Sequence, residues 1–217
     1  MNLVLVVPSY NSNDTLTQLI NSINIANDVD IIIVDDGSDD IFTTDLSNVE
    51  VLRNKKNMGK GFSLRKAFKH AIDRSFTHAV TLDADLQHSP SELYKFIDES
   101  EEFDFILGCR DRDRSMPLHR KFSNFITTFI ISKLSGFSVL DSQCGYRRYN
   151  LKEVGLYKYK EDGFQFESEV LIKCLKSTSK VKQVKIETIY DKDNKSYINH
   201  VSDTLKFIRL ILRSIFK

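Results

Sequence analysis

Between Leu3 and Ser38 an apolar run, an amphipathic stretch and a second apolar run follow one another, and that order leaves few folds open. Leu3-Val4-Leu5-Val6-Val7 is unbroken and rich in β-branched side chains, the pattern of a strand covered on both faces in a parallel sheet. It stops at Pro8-Ser9-Tyr10-Asn11. Leu16, Leu19, Ile20 and Ile23 then recur at helical spacing behind Ser12, Asn13 and Asp14, any of which can cap a helix. Ile31-Ile32-Ile33-Val34 follows and runs straight into Asp35-Asp36-Gly37-Ser38. A strand, a helix and a strand at this distance make a βαβ unit, whose right-handed crossover delivers both strand ends to one edge of the sheet. Tyr10 and Asp36 are therefore expected as neighbours.

The alternation continues as far as Gly108, which predicts a doubly wound α/β sheet. Val49-Glu50-Val51-Leu52 reads as a third strand, and Asn57-Met58-Gly59-Lys60-Gly61 leads into a helix over Phe62–Arg74. Glycines and a lysine at a helix start suit an anion, because unpaired N–H groups and the helix dipole both favour negative charge. The same residues also make a plain turn, and the Gly-Lys-Ser/Thr ending of a Walker A loop is absent. The next strand, Ala79–Leu82, carries the most telling stretch, Thr81-Leu-Asp-Ala-Asp-Leu-Gln-His88. Asp83 and Asp85 stand one residue apart where a strand ends. Two hard oxygen ligands there can hold a divalent cation against a diphosphate, whereas in isolation such a pair is more often two solvated turn carboxylates. A helix over Ser91–Glu99, a strand over Phe105–Gly108 and the basic loop Arg110–Arg114 complete this part. No Gly-x-Gly-x-x-Gly follows the first strand, which argues against a dinucleotide dehydrogenase.

Beyond Arg114 the pattern changes. His119–Leu134 carries Phe122, Phe125, Ile126, Phe129, Ile130 and Leu134 on one helical face, and the other face is serine, asparagine and threonine. A stripe of this kind is most often a core face; an interfacial helix is the alternative. After a strand at Val181–Ile189, Asp191–Asn199 is polar and aperiodic, as expected of a mobile loop over a site. Val201–Phe216 then places Lys206, Arg209, Arg213 and Lys217 opposite Leu205, Ile208, Ile211, Leu212 and Ile215. This basic amphipathic helix suits packing on its own domain and a membrane interface equally.

Composition sets the outer limits. At 217 residues, one domain over 1–200 with the helix 201–217 appended is the simplest count, and a net charge of +1 gives no reason to expect nucleic acid as a partner. Cys109, Cys144 and Cys174 are odd in number and lack Cys-x-x-Cys spacing, so they read as free thiols of a reducing compartment. Leu3–Val7 is too short and lacks the basic leader of a signal sequence, and no apolar run reaches the ~18 residues that would span a bilayer.

Taken in order, these motifs resemble the inverting family 2 glycosyltransferases of GT-A fold, most closely the dolichyl- or polyprenyl-phosphate mannose and glucose synthases. The resemblance is carried by Val7-Pro8-Ser9-Tyr10-Asn11, Val34-Asp35-Asp36-Gly37-Ser38, Asn57–Gly61, Asp83-Ala84-Asp85-Leu86-Gln87-His88 and Leu107-Gly108-Cys109-Arg110. Asp141-Ser142-Gln143-Cys144-Gly145-Tyr146-Arg147 and Phe164–Glu169 continue it, so that it covers nearly the whole chain. It implies a Rossmann-like, mainly parallel central sheet flanked by helices, with a C-terminal amphipathic helix.

It also implies roles. Pro8, Tyr10 and Asp36 match the nucleotide pocket, with Lys60, Ala84, Arg110 and Lys195 expected along the GDP- or UDP-hexose. Asp83, Asp85 and Gln87 match the ligands of Mg²⁺ or Mn²⁺, which would neutralise the departing diphosphate. Arg120, Ser123 and Arg147 match the acceptor-phosphate site, where bidentate arginine pairing is physically apt. A lipid phosphate is already anionic and needs no general base, whereas a sugar hydroxyl acceptor needs a carboxylate, with Glu167 or Glu169 as candidates and Asp141 behind them. The expected catalytic set is Asp85, Arg120, Arg147 and Glu167. Gln87 favours polyprenyl phosphate, reached at the cytoplasmic face of a membrane, and a separate membrane protein could be a partner. A glycan hydroxyl is the first rival acceptor; a non-catalytic nucleotide-sugar or lipid-binding module is the second rival. Ser12 stands where the family often has Glu, and Cys144 where it has a small hydroxyl. Cys144 is not expected to act as a nucleophile, since inversion needs no covalent intermediate.

Overall fold

The structure, a computed structural model, describes residues 1–26, 29–110, 118–189 and 200–216. The apolar runs become strands β1 (Leu3–Ser9), β2 (Asp30–Asp35), β3 (Val49–Arg53), β4 (His78–Thr81) and β5 (Phe105–Arg110). They join β6 (Arg147–Asn150) and β7 (Val181–Ile186) in one seven-stranded sheet of order β3-β2-β1-β4-β6-β5-β7. All neighbours are parallel except β6, which runs against both β4 and β5. β1 leads to β2 on one side and has β4 on its other side. That reversal of strand order is a switch point, where the chain leaves the two strands in opposite directions and a crevice opens at their carboxyl ends.

Helices cover both faces. Leu5, Val7, Ile31 and Ile33 point to the side of α1 (Asn13–Ala26) and of the short turns Pro90–Leu93 and α3 (Tyr94–Ile97). Val4, Val6, Ile32 and Val34, the alternate residues, meet Leu64 and Phe68 of α2 (Lys60–Asp73), Ile131 of α4 (Leu118–Ser135) and Val154 of α5 (Leu151–Gly155). Phe166 and Val170 of α6 (Gln165–Cys174) and Leu210 of α7 (His200–Ile215) complete that side. The alternation shows why both faces of these strands had to be apolar. Pro8 sits in a central strand without breaking its ladder: Val6 accepts from Leu82 N at 3.1 Å, so Pro8, two residues on, points past the end of β4.

Three expectations change. The Ser91–Glu99 helix is a 3₁₀ turn followed by a single α turn. β6, α5 and α6 are additional to the expected elements. The aromatic stripe of α4 is not core: Phe122 is 68%, Phe125 58% and Phe129 55% exposed, while the buried face is Asn124, Thr128, Ile131 and Ser135. That polar face is satisfied. Asn124 Nδ2 donates to Asp141 at 3.0 Å, Thr128 Oγ1 to Asn124 Oδ1 at 2.8 Å, and Ser142 N to Thr128 Oγ1 at 3.1 Å. α7 is docked by Leu210, by Gln165 Nε2 to the Asp203 carbonyl at 3.0 Å and by Arg213 to Glu161 at 3.0 Å. Among the described residues no helix is long and apolar enough to cross a membrane.

Candidate active site

The end of β1 and the turn after β2 are clamped together. Asn11, in the left-handed region at φ 48°, donates through Nδ2 to Asp39 at 3.0 Å and accepts from Asp39 N at 2.9 Å; its own N–H meets Ser38 Oγ at 2.8 Å. Buried Asp35 accepts from Ser38 N and Arg53. Tyr10 and Asp36 are thus brought to one edge, as the crossover requires. The Asp36 carboxylate, matched to the nucleotide pocket by resemblance, is buried and accepts from Asn54 Nδ2 (2.7 Å), Met58 N (3.0 Å) and Gly59 N (2.8 Å). It anchors the glycine turn that starts α2. Gly59 holds φ 98°, and a Cβ there would lie 2.5 Å from the Asp162 carbonyl, so only glycine fits.

That turn delivers Lys60 to the acidic stretch. Its Nζ lies 2.7 Å from Asp83 Oδ1 and 2.9 Å from Glu167 Oε2, joining the end of β4 to the first turn of α6. Burial works against the ammonium charge, but the two carboxylates outweigh it and hold the Lys60 pKa above its ordinary value. For Asp83, burial likewise opposes the charge and Lys60 prevails, so its pKa is depressed. For Asp85 the balance falls the other way: burial first, and the Asp83 charge next, push its pKa up. Gly145 lies against this pair. A Cβ there would fall 2.7 Å from Asp83 Oδ2 and 3.1 Å from Lys60 Nζ, while the Gly145 carbonyl accepts from Thr81 Oγ1 at 2.6 Å.

The Asp85–Gln87 turn is tight. Leu86 sits at φ 58°, costly for a side chain with a Cβ, and Gln87 N donates to Asp85 Oδ1 at 3.0 Å. Ile189 N closes on the Gln87 carbonyl at 2.8 Å. Opposite, Arg110 at the end of β5 grips Asp141 through Nε at 2.7 Å and Nη2 at 3.1 Å. Asn124 and Gln143 N add donors at 3.0 Å each. Burial alone would raise the Asp141 pKa; Arg110 and these donors reverse that and leave it at about 2.

Other residues differ from their expected places. Arg147, expected at the acceptor phosphate, is 1% exposed in β6, and its guanidinium donates to the carbonyls of Ser142 (2.7 Å) and Glu167 (3.4 Å). It joins the segment that carries Asp141 and Ser142 to α6. Ser123 is exposed on α4; the Arg120 side chain and Lys195 lie outside the described residues. Glu169 pairs with Lys173 at 2.6 Å and caps Lys160 N and Glu161 N, a structural role. Glu167 is the more available for chemistry, since its buried Oε1 has no hydrogen-bond partner among the described residues. Cys144 is fully buried, and burial pushes its thiol up to about 12, far from a nucleophile's range.

Two carboxylates of opposite perturbation beside a lysine fit a divalent cation that arrives with phosphate oxygens. Among the described residues no three His, Cys, Asp or Glu side chains converge on one point. Mg²⁺ is commonly held by one or two carboxylates plus phosphates.

Fold and crevice place the molecule in a class. The chain superposes on glucosyl-3-phosphoglycerate synthase from Mycobacterium tuberculosis, crystallised with Mn²⁺, uridine diphosphate and glucosyl-3-phosphoglycerate, with a TM-score of 0.72. The match covers 98% of this chain and 79% of that one at 18% identity. The fold is that of the GT-A glycosyltransferases. More particularly, the pattern of Glycosyl transferase family 2 matches residues 4–155, and the chain belongs to that family. It is 28% identical to the UDP-N-acetylglucosamine–dolichyl-phosphate N-acetylglucosaminyltransferase of Methanococcus voltae, over 86% of this chain and 85% of that protein. It is 25% identical to the polyprenol monophosphomannose synthase of Mycolicibacterium smegmatis, over 84% and 76%. The protein is a glycosyltransferase.

Proposed function

We propose that this enzyme transfers a sugar, with inversion, from a nucleoside diphosphate sugar to polyprenyl phosphate at the cytoplasmic face of a membrane. The observation that carries it is the Asp83–Lys60–Glu167 bridge beside Asp85 in the switch-point crevice, an arrangement apt for a diphosphate and its counter-ion. The two relatives named for transfer to dolichyl or polyprenol phosphate support the acceptor.

Asp83, Asp85 and Gln87 would hold Mg²⁺ or Mn²⁺, which when bound neutralises charge on the leaving diphosphate. Pro8 and Tyr10 flank the base, and Asp36 acts on that pocket by holding the glycine turn. Lys60 and Arg110 add positive charge to the walls, and the Ala84 backbone lies between the two aspartates. Lys195 is assigned to the diphosphate by resemblance alone. Arg120 and Ser123, at the start of α4, receive the acceptor phosphate. Its oxygen is already an anion and attacks the anomeric carbon directly; the sugar–diphosphate bond breaks and the diphosphate leaves with the electron pair. Arg147 serves as a positioning residue, since it binds the Ser142 and Glu167 carbonyls.

The unpaired Oε1 of Glu167 supports a second reading, in which Glu167 takes the proton of a sugar hydroxyl. Purified enzyme, UDP- or GDP-linked radiolabelled sugar, Mn²⁺ and polyprenyl phosphate separate the two. Label in an acid-labile lipid fraction is expected; label found only on added oligosaccharide would overturn the lipid-phosphate assignment.

A further inference from the structure

We infer that the exposed face of α4 is a docking surface for an acidic lipid bilayer, inserted at the level of the headgroups beside the acceptor cleft. The inference rests on the lipid-phosphate reading above and deepens it by naming the surface that meets the lipid.

The helix is inverted relative to a core helix. Its buried side carries Asn124, Thr128 and Ser135, tied to Asp141, Ser142 and the backbone of the 137–139 turn. Its free side carries Phe122, Phe125, Ile126 and Phe129, at three- and four-residue spacing, all exposed. These hydrogen bonds set the rotation of the helix, so the aromatic row cannot turn inward without breaking them. Three exposed phenylalanines in one row exceed the scattered apolar residues normal on a surface and mark a contact. Phe125 and Phe129 also wall a cavity of about 570 Å³ with Phe137, Val139 and Leu140, and Leu140 is itself half exposed.

Charge decides the occupant. Residues 118–135 contain no Asp or Glu, while Lys121 and Lys133 bracket the row and Lys133 Nζ lies 5.7 Å from the Phe129 ring centre. Asp141, the carboxylate behind the helix, is buried and paired with Arg110. An aromatic row whose own helix carries basic and no acidic side chains complements anionic headgroups over an apolar layer. Position agrees: Asn124, next to Ser123, ties the helix to the Asp141–Arg110 wall of the cleft, so docking there brings the cleft to the membrane.

The chain contains no tryptophan, so Phe125→Trp installs a single reporter. With vesicles of phosphatidylcholine and phosphatidylglycerol its emission should shift to the blue and be quenched by brominated acyl chains. Tyr94→Trp, exposed on the opposite layer of the sheet, should show neither effect. In flotation assays each ring replaced by serine should weaken binding roughly tenfold, and F122S/F125S/F129S together more than a hundredfold. The triple variant should still show thermal stabilisation by nucleoside diphosphate with Mn²⁺, because it touches only exposed positions. Equal quenching of both reporters, or unchanged flotation of the triple variant, overturns the proposal. So does a wild-type dimer in sedimentation that the triple variant converts to monomer, since the face would then be covered by a second copy. A short water-soluble prenyl phosphate separates the two readings. Turnover on it by wild type without vesicle binding sinks the docking surface alone; vesicle binding without turnover sinks the acceptor assignment alone.

Discussion

Asp141→Asn probes the wall opposite the acidic pair. Asp141 is 2% exposed and accepts from Arg110, Asn124 and Gln143 N. Its pKa falls from an ordinary 3.8 to about 2. At roughly 1.36 kcal/mol per pH unit this corresponds to about 2 kcal/mol of folding stability. Because the folded pKa is depressed, that contribution is fully present above the unfolded value and disappears as pH falls from about 4 through about 2. At pH 7 the amide also breaks the Arg110–Asp141 ion pair, so a loss of about 2 to 4 kcal/mol is expected. Urea unfolding of wild type and variant at pH 7 and pH 3 tests this: the gap should narrow by about 1 kcal/mol at the lower pH. A variant as stable as wild type at pH 7, or a gap that does not change with pH, would refute the argument that Arg110 and its companions hold Asp141 ionised.

Other outcomes follow from the same geometry. Asp85→Ala should abolish Mn²⁺-dependent stabilisation by nucleoside diphosphate in thermal shift while leaving the ligand-free melting temperature unchanged or higher, since it removes a repelled carboxyl. Lys60→Met should cost about 3 kcal/mol by leaving Asp83 and Glu167 facing each other without a cation, and Mn²⁺ should restore part of that in a melting titration. Gly145→Ala should weaken metal-dependent nucleotide binding in calorimetry by at least about tenfold, because its Cβ needs the space of Asp83 Oδ2, whereas the far-ultraviolet spectrum should be unaltered. Arg148→Met should destabilise the fold by about 3 kcal/mol with no change in nucleotide affinity: Arg148 is fully buried and donates to the carbonyls of Phe96, Glu99, Ser100 and Phe103, away from the crevice.

What could be read before the structure was what depends on local periodicity and chain order. The unbroken runs at Leu3–Val7 and Ile31–Val34 announced parallel strands covered on both faces, and the crossover rule put Tyr10 beside Asp36. Asp83 and Asp85 could be located at a strand end for the same reason. β6 could not, because Arg147-Arg148-Tyr149-Asn150 looks like a polar loop. It becomes a central strand because carbonyls outside it, of Ser142 and Glu167 for one arginine and of residues 96–103 for the other, satisfy the guanidinium groups. The use of Asp36 to hold the Met58–Gly59 turn and the Lys60 bridge to Glu167 join residues far apart in the chain, and no spacing rule encodes them. α4 shows the division most clearly. Its sequence determined that one face is aromatic and the other hydroxyl- and amide-bearing, but hydrogen bonds to Asp141 and Ser142 decided which face turns inward. A buried carboxylate cannot be left without donors, so the polar side was taken into the fold and the phenylalanines were left on the surface.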